Sequence, residues 1–172
     1  MIIVGYQGIG KSTIAGKDNC IDLESGNFWV DGKRSDDWYK PYCQIAIHLS
    51  EQGYNVFVSS HEVVRKELEK SEEGIVIIYP SLTLKDEWID KLEKRYRKTL
   101  LDKDYKAWKN AEDRYEEDIK ELSKFNIRVL REEICSMDYD LLKIINDLNR
   151  NIARIVKFFT EFDYQTLINI KE

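Results

Sequence analysis

The 172 residues are enough for one α/β domain, since single domains usually contain about 100–200 residues. Charged residues make up 34% of the chain, the formal net charge is −5, and no run of Lys and Arg indicates binding to duplex DNA. Cys20, Cys43 and Cys135 are unevenly spaced, which predicts free thiols in a reducing compartment. No apolar run approaches the roughly 18 residues of a membrane span, so we expect a cytoplasmic protein without a membrane segment.

A phosphate-binding motif follows the first apolar run. The segment GYQGIGKS, residues 5–12, fits the pattern G-x-x-x-x-G-K-[ST] directly after a run that predicts a strand. Glycines let several backbone N–H groups point at phosphate oxygens, and the following helix start adds positive charge. Lys11 is expected to reach the β- and γ-phosphates and the Ser12 hydroxyl to ligate Mg²⁺. The predicted nucleotide site consists of Gly8, Ile9, Gly10, Lys11, Ser12 and Thr13. The alternative is a glycine-rich turn beside a surface lysine.

Apolar runs alternate with helical patterns, which is typical of a parallel sheet covered by helices on both faces, a three-layer α/β/α fold. The five expected strands lie at residues 2–5, 20–23, 55–59, 75–79 and 126–130. The expected helices are a short one from Ser12, one ending before Gly53, one capped by Ser60, one starting near Leu84 after a Thr83–Asp86 capping box, and a long one over residues 105–122.

Residues 27–40, after the second expected strand, are rich in aromatic and charged side chains. Phe28, Trp29 and Trp38 lie there together with Arg34. We interpret the segment as a loop or short insertion. Its aromatic side chains either pack against the domain or face a substrate base, in which case Arg34 pairs with the phosphate of that substrate.

One basic cluster, residues 94–98, interrupts an otherwise acidic chain, and a helical pattern over residues 139–162 follows the last strand. The apolar positions of that last helix predict a core face, and a homodimer seam is the alternative. We see no repeat and no linker, so we expect a single domain over residues 1–172.

The chain resembles the nucleoside monophosphate kinase-like branch of P-loop kinases, of the phage or Gram-positive bacterial type. The resemblance consists of five expected strands, a phosphate loop after the first and a basic cluster between the fourth and fifth. The loop is similar to that branch's G-x-x-G-x-G-K-[ST]-T form. The resemblance covers the chain from Met1 to about Leu130. It implies the P-loop NTPase fold with strand order 2-3-1-4-5 and a mobile helical lid, here at about residues 94–115.

The resemblance also implies phosphoryl transfer from ATP with Mg²⁺, with Lys11 acting on the donor and lid arginines acting on the transferred phosphate. Arg95 and Arg97 are the candidates for the lid arginine, and Arg114 on the returning arm is a third. Since Arg95 and Arg97 are two residues apart, they cannot share one face of a helix. The alternative is a solvated helix surface whose cations pair with neighbouring carboxylates.

Asp22 is the next candidate, because it ends the second expected strand and ligands of open α/β sheets bind beyond that edge. In small-molecule kinases of this superfamily an acidic residue there often holds the acceptor hydroxyl or a water on Mg²⁺. The resemblance implies this role for Asp22, with Glu24 or Ser25 assisting. The alternative is a carboxylate that only shapes the turn.

The third expected strand ends in Ser59, Ser60 and His61. Many P-loop proteins have a Walker B aspartate there, and adenylate kinases have D-G-x-P-R; this chain departs from both. We expect Ser59 to reach the Mg²⁺ shell through water and His61 or Arg65 to face the acceptor. For His61 the alternative is a structural role beside the helix cap.

The leading hypothesis is a kinase that moves the γ-phosphoryl group of ATP to a small acceptor, with a (deoxy)nucleoside monophosphate favoured. A kinase for a modified base or a DNA end is a variant, against which the acidic net charge weighs. A nucleotide-binding regulatory NTPase is the second class, and its lid arginines would be dispensable. A structural protein that kept the fold is the third, against which the intact Lys11 weighs. No N-K-x-D motif is present, so a GTPase switch is not expected.

Overall fold

A computed structural model describes residues 1–29, 31, 33–71, 73–125 and 130–169, with side chains up to residue 157. The chain forms two compact units, Met1–Tyr139 and Asp140–Glu172. The first unit contains β1 (Ile2–Gly5), α1 (Lys11–Ile14), β2 (Cys20–Asp22), α2 (Tyr39–Glu51), β3 (Asn55–Val58), α3 (Glu62–Leu68), β4 (Ile75–Pro80), α4 (Lys85–Thr99), α5 (Asp102–Lys124) and β5 (Leu130–Ile134). Short 3₁₀ turns lie at Ser25–Phe28 and Leu82–Leu84.

The five strands form one parallel sheet in the order β2-β3-β1-β4-β5, as predicted. The central strand β1 places Ile3 opposite Phe57 of β3 and Val76 of β4. Every residue of β1, β3 and β4 is buried, which explains their continuous Ile- and Val-rich sequences. Because the strands are parallel, the residues that follow β1, β2 and β3 meet at one edge of the sheet.

Two predicted helix caps are wrong. The residue before α3 is His61 rather than Ser60, and no side chain caps this helix. The Ser59 hydroxyl accepts from the His61 N–H at 3.3 Å, so the serine that organises the turn lies one position earlier. A 3₁₀ turn precedes α4, and the Ser81 side chain caps it by accepting from the Thr83 N–H at 3.3 Å. Thr83 therefore lies inside the turn and cannot form the predicted capping box with Asp86.

The last strand lies later than predicted. β5 spans Leu130–Ile134, and four of the five residues expected in the strand, 126–129, lie outside the described residues. Most of β5 is polar and exposed, and only Ile134 is buried. The strand is at the edge of the sheet, where one side of the backbone has no neighbouring strand and polar residues are tolerated. A polar edge strand of this kind has no buried apolar run that would indicate residues 131–134 in the sequence.

Helices α4 and α5 form a hairpin between β4 and β5. Leu100, with a φ of 54°, ends α4, and α5 begins two residues later. An ion pair of 2.9 Å joins Lys85 to Glu116 at the base of the hairpin, and Tyr96 stacks on Trp108 nearer its tip. The segment expected as a lid, residues 94–115, is therefore helical on both sides of this turn. Its movement stays a prediction.

The second unit consists of α6 (Leu141–Asn169), a single helix that begins close to the predicted position and extends further. Asp140 precedes it, and its carboxylate accepts from the Lys143 N–H at 3.1 Å. None of the described helices, α6 included, is long and apolar enough to cross a membrane.

Candidate nucleotide-binding site

The loop after β1 has the backbone conformation that its glycines predict. Gly8 and Gly10 have φ values of 86° and 98°, in the left-handed region that favours glycine. A Cβ atom at Gly8 would lie 2.9 Å from Leu92 and 3.1 Å from the Trp88 indole nitrogen. At Gly5 it would lie 2.4 Å from the Ile9 side chain. A larger residue at Gly8 would therefore be strained in backbone conformation and crowded, and one at Gly5 would have to displace the end of the Ile9 side chain.

Several N–H groups of this loop are available to a ligand. Within the described part of the chain, the N–H groups of Gly8, Gly10, Lys11 and Ser12 have no hydrogen-bond acceptor. Gly8 and Gly10 precede α1, and Lys11 and Ser12 are its first two residues. Backbone dipoles at this end of a helix favour an anion. Four unsatisfied donors around one turn form a cradle of the kind that binds phosphate oxygens.

Two of the six residues predicted to bind nucleotide, Ile9 and Thr13, do not offer a free backbone N–H group. The Ile9 N–H donates to the Tyr6 carbonyl at 3.4 Å, and the Ile9 side chain is buried. The Thr13 N–H donates to the Gly10 carbonyl at 3.0 Å. The backbone N–H groups of both residues are therefore used inside the protein, and the four other predicted positions carry the free donors.

Lys11 extends across the loop. Its ammonium donates to the Gly5 carbonyl at 2.8 Å. Burial lowers the pKa of Lys11, Arg95 acts in the same direction, and Asp22 and Glu24 oppose the shift. The charges of β2, of the segment after it and of the α4–α5 hairpin therefore all act on this one ammonium group.

Ser12 and Asp22 lie next to each other, and their position fits a magnesium site. The Ser12 hydroxyl donates to the Asp22 carboxylate at 2.8 Å. Mg²⁺ prefers oxygen ligands at about 2.0–2.1 Å in an octahedron, in which neighbouring oxygens are roughly 2.9 Å apart. No group of three His, Cys, Asp or Glu side chains within the described residues can hold a metal. The two oxygens suit a Mg²⁺ ion whose other ligands are phosphates and water.

The carboxylate beside Ser12 thus comes from β2 and not from the end of β3. Ser59 and His61 follow β3, and the Ser59 hydroxyl is hydrogen-bonded to His61 Nδ1. The protein around the His61 ring disfavours its charged form and lowers its pKa, and Arg34, Lys11 and Arg65 add to the effect. A neutral imidazole fits a site that already carries several cations.

The sequence gives no sign of the role of Tyr42. Its buried hydroxyl donates to the Leu23 carbonyl at 2.7 Å and accepts from the Ser59 N–H at 2.8 Å. One side chain of α2 therefore joins the ends of β2 and β3. Burial raises the pKa of Tyr42, which keeps the hydroxyl protonated as a donor.

Arg34 and Arg65 already have protein partners. The Arg34 guanidinium lies 3.5 Å from the centroid of the Trp38 ring and donates to the Ser25 carbonyl. Arg65 is only 6% exposed, pairs with Glu121 at 3.1 Å and donates to the Ser60 carbonyl at 2.5 Å. A substrate role for Arg65 therefore requires the ligand to replace Glu121, whereas Arg34 borders an open cleft.

The three arginines proposed for the lid differ in their surroundings. Arg95 pairs with Asp104 at 3.0 Å, and the Asp104 carboxylate also accepts from Thr99 at 2.6 Å. Arg97 is 72% exposed and bonds to Glu93 on its own helix. Arg114 lies among carboxylates of α5, including Glu117 at 3.4 Å. Of the three, only Arg95 is among the charges that shift the pKa of Lys11.

The hairpin reaches across the site. Lys103, near its tip, pairs with Glu24 just after β2 at 3.2 Å. Trp88, near its base, donates to the Gln7 carbonyl of the loop at 2.9 Å. Since β2 and β4 lie on opposite sides of β1, the hairpin passes over the loop that follows β1.

No family model matches this chain, and no curated protein or solved structure is significantly similar to it.

Proposed function

We propose that this chain is an ATP-dependent phosphotransferase that moves the γ-phosphoryl group to a small acceptor, with a (deoxy)nucleoside monophosphate as the favoured class. One observation supports this proposal above all. Free N–H groups, the Lys11 ammonium and the Ser12–Asp22 pair converge at the edge of the sheet where the strands end. A donor cradle, a cation and two oxygen ligands are the groups that a nucleoside triphosphate with Mg²⁺ requires.

The reaction forms a bond between an acceptor oxygen and the γ-phosphorus and breaks the bond from that phosphorus to the oxygen that leaves with ADP. The protein's main tasks are positioning and neutralising charge. The free N–H groups hold the phosphates, and Lys11 exchanges the Gly5 carbonyl for phosphate oxygens. Ser12 and Asp22 would hold Mg²⁺, and the ion would supply positive charge next to the leaving phosphates. Arg95 approaches from the hairpin side.

The acceptor would bind in a cleft beside the end of β2. The cleft has a volume of about 640 Å³ and is lined by Phe28, Trp38, Lys33 and Arg34, among others. Small-ligand sites usually measure about 300–1,000 Å³. Aromatic rings with two cations suit a planar base that carries phosphate, and Asp37 adds one carboxylate to the lining. Trp38 also contacts the His61 ring edge to face, which places the cleft beside the end of β3.

The direct test is ADP release from Mg·ATP in the presence of each common nucleoside and deoxynucleoside monophosphate. We expect one or a few acceptors to raise the rate well above that with water alone, with the diphosphate product appearing in equal amount. Tight ATP binding without stimulation by any acceptor would contradict the nucleotide kinase. It would instead support the nucleotide-binding regulatory NTPase.

Replacing Asp22 with asparagine tests the proposed magnesium site. Asparagine keeps the size of the side chain and removes the charge, so we expect nucleotide turnover about 10–100-fold lower at a fixed Mg²⁺ concentration. Raising Mg²⁺ should restore part of the loss. The measurement is the Mg²⁺ dependence of ADP release, with Asp36→Asn, an exposed aspartate of the nearby loop, as the matched control. An unchanged Mg²⁺ dependence in Asp22→Asn would rule out this ligand.

A further inference from the structure

The outer side of the phosphate loop is held by side chains from two distant segments. The Trp88 indole of α4 donates to the Gln7 carbonyl at 2.9 Å. Tyr139 follows β5, and its hydroxyl donates to the Ile9 carbonyl at 2.9 Å. The Gly8 carbonyl is a second, more distant acceptor at 3.4 Å. The bonds join residues 81 and 130 positions apart, so no local pattern in the sequence indicates them.

Lys91 joins Trp88 and Tyr139 into one unit. Its ammonium donates to the Tyr139 hydroxyl at 2.9 Å and lies 4.2 Å from the centroid of the Trp88 ring. The Trp88 and Tyr139 rings are stacked, with centroids 6.0 Å apart and planes at 17°. No carboxylate pairs with Lys91 among the described residues, and burial lowers its pKa. We call Trp88, Lys91 and Tyr139 the loop clamp.

Peptide geometry connects the loop clamp to the free N–H groups. In a trans peptide unit the C=O of one residue and the N–H of the next lie in one plane and point in opposite directions. The Gln7 carbonyl shares its unit with the Gly8 N–H, and the Ile9 carbonyl shares its unit with the Gly10 N–H. Both N–H groups are free donors. A bond that fixes each carbonyl outward therefore turns the matching N–H toward the phosphate side.

We propose that Trp88, Lys91 and Tyr139 are positioning residues that orient the Gly8 and Gly10 N–H groups before a ligand binds. The identity of that ligand, the phosphates of ATP, rests on the proposed function. The loop clamp itself does not, because its bonds are formed within the protein alone. Glycine is otherwise the residue with the most backbone freedom. Fixing its peptide units beforehand therefore reduces the conformational entropy that is lost when the ligand binds.

The test is the ¹⁵N order parameter of each glycine in the free protein. Backbone order parameters are about 0.85 for rigid and below about 0.6 for flexible residues. Tyr139→Phe removes one hydroxyl and keeps the ring, so we expect Gly10 to become flexible while Gly8 changes less. Trp88→Phe should make Gly8 flexible while Gly10 changes less. Tyr105→Phe, the same change on the exposed side of the hairpin, is the control and should alter neither glycine.

A binding measurement connects the loop clamp to its ligand. Inorganic triphosphate and Mg·ATP should each bind about tenfold more weakly to Tyr139→Phe, as expected for the loss of one positioning hydrogen bond. Lys91→Met, which keeps the aliphatic stem, should give a smaller loss in the same direction. Unchanged order parameters of Gly8 and Gly10 in all three clamp variants would overturn the inference. If the wild-type protein binds neither ligand, the proposed function fails, while the order parameters still decide whether the loop clamp exists.

Discussion

Replacing Lys11 with methionine is expected to lower kcat/KM for ATP by about 10²–10³-fold, the usual cost of removing one group that stabilises developing charge. Methionine keeps an apolar stem against the tightly packed loop and removes the ammonium group that bonds to the Gly5 carbonyl. Because burial already lowers the pKa of Lys11, losing its charge should not destabilise the fold. ADP release and direct ATP binding measure the effect.

Lys17→Met is the matched control, since it makes the same chemical change at an exposed lysine six residues later. We expect its kinetics to equal those of the wild type and both variants to keep the wild-type melting temperature. Normal ATP turnover by Lys11→Met would show that this loop is a structural turn and would remove the basis for the proposed kinase.

Replacing Arg95 with alanine is expected to lower kcat by about 10³-fold or more, because arginines supplied on closure contribute roughly 10³–10⁵ in phosphoryl transfer. Arg95 is the hairpin arginine whose charge contributes to the lowered pKa of Lys11, and its guanidinium pairs with Asp104 at 3.0 Å. ATP binding should change much less than kcat, since the contact forms with the transferring phosphate. Rapid-mixing kinetics with saturating ATP measure this difference.

Arg97→Ala provides the comparison two residues away on the same helix. Its side chain is exposed and, among the described residues, pairs with Glu93 alone, so we expect a change in kcat within about twofold and almost no change in stability. Since Arg95→Ala leaves the buried Asp104 unpaired, Arg95→Lys is the second variant, which keeps the charge and the fold. Equal activity of the Arg95 and Arg97 variants would exclude Arg95 from the reaction.

Local patterns in the sequence predict most of the sheet and the loop. The bounds of β1 and the presence of a short α1 and a long α5 follow from apolar runs, glycines and helical spacing, which act over a few residues. The parallel order of the strands follows from the resemblance to P-loop kinases and from the phosphate loop after the first strand. That Ser12 and Asp22 lie at the same edge of the sheet follows as well, because β1 and β2, with β3 between them, are parallel and end there.

Contacts between distant segments could not be predicted in the same way. The Tyr42 hydroxyl joins two strand ends, and Asp104 holds Arg95 from the far side of a turn. Either side chain could equally be an ordinary core or surface residue, because the sequence does not reveal which segment packs against it. The extension of β5 beyond its predicted end at Leu130 has a related cause, since an edge strand needs no apolar run.

The two ends of the α4–α5 hairpin are attached with unequal strength. At the base, the Trp88 indole is fully buried and hydrogen-bonded to the loop. At the tip, Lys103 and Glu24 are 64% and 46% exposed, and such pairs contribute only about 0–1 kcal/mol and weaken further in salt. Breaking this ion pair thus costs little more than thermal energy. Rising ionic strength is therefore expected to loosen the hairpin at its tip before its base.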